Sequence, residues 1–142
     1  MKYFISPNVG RTFIVSMVKG DLLRESLIEL AEKEGIENAV VISGIATFDE
    51  ARIHMVTNHG FPVDIHVEHL VEPLELASLD GAIIDSFPHL HCVVSNATTT
   101  WAGHILDGCR ILFLGEIVIQ ELLGVELERI EDSNGIPHIC EK

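Results

Sequence analysis

From residue 39 to residue 119 the chain is a run of short apolar, β-branched stretches broken by turn residues, and that pattern most constrains the fold. Residues 39–43, 51–57, 64–70, 74–79, 82–85, 89–95 and 109–119 read as strands. Within 51–57 the alternation sets Ile53 and Met55 opposite to Arg52, His54 and Val56. Gly44 is expected to end the first of these strands, with turns at Asn58-His59-Gly60 and Asp80-Gly81. Ahead of them, residues 11–18 read as a further strand ended by Gly20. Only residues 22–34 carry a helical period, with Leu23, Leu27, Leu30 and Ala31 on one face. Asp21 is the expected N-cap and Gly35 the expected stop. Many strands and one early helix predict an α+β fold: a largely antiparallel β-sheet with one main helix packed on it. With no linker, repeat or low-complexity segment, residues 1–142 are expected to form a single domain.

Charge narrows the partners. Against 22 Asp and Glu stand only 9 Lys and Arg, a net charge of -13, and no basic run interrupts the imbalance. A phosphate backbone is repelled by such a surface, so direct DNA binding is disfavoured. Hydrophobic residues are 47% of the chain, and the mean hydropathy is +0.32. A small domain cannot hide that much apolar surface alone, which implies a subunit interface. Cys92, Cys109 and Cys140 form no CxxC pair and no even framework, so reduced thiols in a cytoplasmic protein are expected. Residues 1–7 are too short and poorly patterned for a signal peptide. Glu116, Gln120 and Glu121 break the best apolar run, so no membrane span is expected.

Chemistry concentrates in histidines. His89 and His91 stand two apart, so on a strand both imidazoles leave the same face and can close on one metal ion. His104, after Gly103, could return beside them as a third ligand, leaving an open position on a tetrahedral ion. The same spacing also fits three ordinary hydrogen-bonded histidines. Imidazoles accept zinc, nickel, copper and iron, so spacing alone does not choose the metal. Glu116 interrupts an apolar segment. A carboxylate there needs a cation, as a group behind a ligand histidine, a fourth ligand or a general base, unless its strand faces water. His54, His59, His66 and His69 read as the polar face of exposed strands, and Glu128, Glu131 and Asp132 as a solvated acidic cluster. No P-loop, GxGxxG or GxSxG is present, and no catalytic residue is assigned.

Several stretches together resemble the PPC domain, named for plants and prokaryotes. They are the strand from Arg11, Gly20-Asp21-Leu22, residues 40–48, residues 75–81, His89-Leu90-His91, Gly103-His104 and residues 116–119. The likeness runs from about residue 8 to 130. It implies a helix-and-sheet domain that assembles as a homotrimer, with a divalent metal, zinc in some prokaryotic members, at His89, His91 and His104. The family is often labelled DNA-binding, and its plant members carry AT-hooks. No AT-hook core is present here. The family's Gly-Gly-His is Ala102-Gly103-His104, and its Gly-Ile-Gly is Gly44-Ile45-Ala46. The expectation is a small trimeric metal-binding protein with a regulatory, scaffold or ligand-binding role, its partner a protein or small molecule. The alternative is a metal-dependent hydrolase or lyase with Glu116 moving protons.

Overall fold

The computed structural model describes residues 1–142. Nine strands and one helix follow in the order β1 (Asn8–Val18), α1 (Leu23–Glu34), β2 (Asn38–Val56), β3 (Ile65–Leu70), β4 (Leu74–Ile84), β5 (Phe87–Ser95), β6 (Thr100–Ile105), β7 (Arg110–Leu123), β8 (Leu127–Glu131) and β9 (Pro137–Glu141). The first seven strands build one sheet, β1-β7-β2-β4-β5-β6, with β3 paired to β2. β6 returns to pair with β2, so β2, β4, β5 and β6 form a closed ring. Every pairing is antiparallel, and β8 and β9 make a separate hairpin. The architecture is mostly antiparallel sheet, and the helix is a minor element of 12 residues.

Two expected breaks are strand interior. β2 runs for 19 residues straight through Gly44. A Cβ on Gly44 would stand 2.6 Å from the Cβ of Leu79, so this glycine admits a neighbouring side chain and does not stop the strand. Gly81 likewise lies within β4, opposite Leu90. The β4–β5 reversal falls instead at Asp85 and Ser86, both left-handed at φ 55° and 62°. β6, β8 and β9 had no counterpart among the expected strands. Asp21 does not cap α1. Its carboxylate accepts the Val18 N–H at 2.8 Å and closes the β1–α1 turn, leaving Leu22 at the cap position. Gly35 ends the helix in left-handed geometry, as expected.

Leu23, Leu27 and Ala31 of α1 pack into a core with Met17, Phe48, Ile53, Leu76, Leu90, Ile111 and Ile117. Each fully buried Leu or Ile there contributes about 1.5–3 kcal/mol. The opposite face of β1, β7 and β2 has no covering element: Ile14 is 80%, Val18 62%, Ile45 48% and Leu114 50% exposed. No helix is long and apolar enough to cross a membrane.

Candidate metal centre

Register places the site. Opposed residues of an antiparallel pair share a face. His54 on β2 lies opposite His104 on β6, and His104 lies opposite His91 on β5, so three imidazoles form a row across three strands. His89 precedes His91 by two and joins the same face. Leu90, Cys92 and Val94 alternate with them into the core, which fixes which way the histidines point. Gly103 permits the approach of β6 to β2: a Cβ there would stand 2.5 Å from the His54 carbonyl oxygen. The expected Gly-His step is therefore a backbone contact beside a ligand candidate.

The ligand nitrogens of His89, His91 and His104 all lie within 4.8 Å of one another. A zinc ion with bonds of about 2.0–2.1 Å holds its nitrogens about 3.4 Å apart. His89 and His91 already stand at 3.3 Å through their Nε2 atoms. The rings of His89 and His104 meet edge to face at 4.7 Å. Burial pushes the His104 imidazole down to about 4, aided by the charges of His89, His54, His91 and Arg24. Burial also lowers His89, with Arg129 and the neighbouring imidazoles adding to it. Neutral rings with free lone pairs are what a divalent ion requires, so the donor set fits such an ion.

His54, expected on an exposed polar face, belongs to this cluster. Its ring stacks on His104 at 4.6 Å, and burial lowers its ionisation. Its Nδ1 is buried without a hydrogen-bond partner. The only sequence signal was its place on a strand whose partner carries His104. His66 and His69 behave as expected, pairing at the surface with Glu68 at 2.9 Å and Glu50 at 2.8 Å.

The histidines open into a cleft of about 960 Å³. Its walls come from the end of β2, the β2–β3 loop, the start of β5 and the β8–β9 hairpin, which supplies Arg129, Glu131, Ile136 and Pro137. Arg129 donates to the carbonyls of Phe87 at 2.9 Å, Ala82 at 3.2 Å and Ile84 at 3.4 Å. Burial lowers its guanidinium from the usual range.

Glu116 is not brought to this cleft within the chain. It lies on β7 opposite Ser16 and Ile45, exposed on the uncovered sheet face. β7 is an interior strand, so the face and not an edge gives Glu116 its water. Arg110, at the start of the same strand, pairs instead with Asp49 at 2.8 Å and Glu50 at 3.0 Å.

Antiparallel sheet, single helix and clustered histidines define one class of domain. The chain belongs to the Plants and Prokaryotes Conserved (PCC) domain family, the PPC domain named above, whose profile matches residues 4–123. It is similar in structure to a metal-containing protein from Archaeoglobus fulgidus, at TM-score 0.86 and 27% identity over 99% of this chain and 100% of that one. A plant- and prokaryote-conserved protein from Pyrococcus horikoshii is similar at TM-score 0.81 and 28% identity, covering 95% and 94% of the two chains. The bifunctional protein GlmU of Synechococcus sp. (strain JA-2-3B'a(2-13)) is 27% identical over 117 residues, 81% of this chain. The chain spans 17% of the length of that curated relative.

Proposed function

We propose that this chain is a cytoplasmic metal-binding module that assembles as a homotrimer and holds a small ligand or partner at a zinc site made by His89, His91 and His104. The observation that carries the reading is the convergence of three imidazoles whose ligand nitrogens lie within 4.8 Å of one another. The metal-containing relative from Archaeoglobus fulgidus supports it. Burial pushes the thiols of Cys92 and Cys109 up to about 12 and about 11, so both are protonated and poor nucleophiles. Assembly is supported by the uncovered apolar strip of Ile14, Val18, Ile45 and Leu114. A net charge of -13 argues against a role on bare DNA.

The test is elemental analysis of the purified protein with its native mass. One zinc per chain in a species of three chains is expected, and a metal-free monomer would sink the reading. A second reading, a metal-dependent hydrolase or lyase, rests on the room around the histidines: a cleft of about 960 Å³ leaves space at an open coordination position. Glu116, the proton carrier expected for that chemistry, lies on the uncovered sheet face, and the acid of the cleft lining is Glu131.

A further inference from the structure

The β8–β9 hairpin lies beyond the residues matched by the family profile, which end at 123, yet it forms one wall of the histidine cleft. What it brings is a cation. Arg11, Arg24 and Arg110 each pair with a carboxylate. Arg129, like Arg52, forms no ion pair, in a chain with 22 acidic residues. Its partners are three carbonyl oxygens around the β4–β5 turn. A guanidinium has five N–H donors, so Nε–H and one Nη2–H remain, and neither atom is buried without a partner. Two donors are what a carboxylate takes in a bidentate pair.

Around that cation the cleft is apolar. Val56, Val63, Ile65, Phe87 and Ile136 line it. Val56 is 62% and Phe87 52% exposed. Glu131, two residues beyond Arg129 on the same strand, is the sole acid of the lining. Arg129 and Glu131 offset each other, so a divalent ion held by the histidines would leave the cleft net positive within an acidic protein, a field that concentrates anions.

We propose that the cleft takes a small organic carboxylate with an apolar tail, its carboxylate received by Arg129 beside the three histidines and its tail lying on the wall of Val56, Ile65 and Phe87. This deepens the metal-binding reading and rests on it. The hairpin thus selects the ligand, while the sheet holds the ion.

The test titrates hexanoate and hexanol into zinc-loaded protein by calorimetry, after zinc content is measured. Hexanoate is expected to bind at least tenfold tighter than hexanol. Arg129→Gln, with zinc content and melting temperature recorded, is expected to remove that preference, since a charge-assisted hydrogen bond is worth about tenfold or more. Arg129→Lys should restore part of it. In the wild-type protein the Nε–H resonance of Arg129 should shift on addition of hexanoate, a readout that needs no variant. Equal affinity for hexanoate and hexanol, or hexanoate binding that leaves that resonance unmoved, overturns the proposal even where zinc is present at one per chain. Absence of zinc overturns the metal reading instead, and the hexanoate preference with its loss in Arg129→Gln still decides the part of Arg129.

Discussion

His54 and His104 stand opposite each other across β2 and β6 and stack their rings at 4.6 Å. The contact makes His54 a support for a ligand candidate. Replacing His54 with Ala removes the stack and leaves His104 free to turn. Outer contacts of this kind commonly change metal affinity by 10–100-fold. Competition with a chromophoric chelator is expected to show zinc bound about tenfold more weakly in His54→Ala. Unchanged affinity would reduce His54 to a filler of the cleft wall.

His91 forms a triangle with the other two ligand candidates, its ring centroid 5.4 Å from each of theirs. His91→Ala leaves two nitrogens, too few for a structural or catalytic zinc site. Stoichiometric metal should be lost after dialysis. A variant that keeps a full equivalent refutes the three-histidine assignment.

Gly103 faces the His54 carbonyl so closely that a methyl group would stand 2.5 Å from its oxygen. Gly103→Ala must push β6 from β2. Overpacking of this kind costs about 1–3 kcal/mol. A lower melting temperature together with weaker zinc binding is expected, because the displaced strand carries His104. A full-strength metal site in this variant would separate the β2–β6 closure from the site.

The ionisation of His104 gives the metal-free protein an acid limb. Its folded value is about 4 against an ordinary 6.5. Between those values the unfolded chain binds more protons than the folded one, so stability rises with pH. The neutral ring suits the fold above about 6.5, and stability is lost as pH falls from 6.5 towards 4. His89 and His54, also lowered, add to the same slope. Melting temperatures of chelator-treated protein should fall over this window, and less steeply in His104→Gln. A flat profile would contradict the burial of these rings.

Leu114 and Glu116 lie on the uncovered face of β7. Under the trimer reading, Leu114→Asp places a charge in the interface and should lower the native mass, as read by sedimentation equilibrium. Glu116→Gln should leave zinc affinity unchanged where one chain completes the site. A tenfold loss would instead show that a second copy carries Glu116 to the histidines.

How much of this was legible in the sequence differs by element. The helix was readable because Leu23, Leu27 and Ala31 repeat at helical spacing and Gly35 stops them. His89 and His91 were readable as a pair because a strand's period of two needs no tertiary knowledge. Gly44 and Gly81 misled because glycine marks both a turn and a close approach, and only packing distinguishes them. His54 was illegible for a related reason: its neighbour His104 is fifty residues away, and only the β2–β6 register joins them. The hairpin was missed because Glu128, Glu131 and Asp132 look like solvated charge, whereas the wall it builds depends on Arg129 and Ile136 between and beyond them.

The interior position of β7 has a consequence for synthesis. β7 is wedged between β1 and β2, with Ala39 opposite Glu121 and Asn8 opposite Leu123. The amino-terminal strands therefore wait without their neighbour until nearly the whole domain has left the ribosome. Pairings that span so much of the chain are slow to form, and the exposed edges of β1 and β2 are open to wrong partners meanwhile. A truncated nascent chain ending before Arg110 should gain little protease resistance, and protection should arrive abruptly once β7 is free of the exit tunnel.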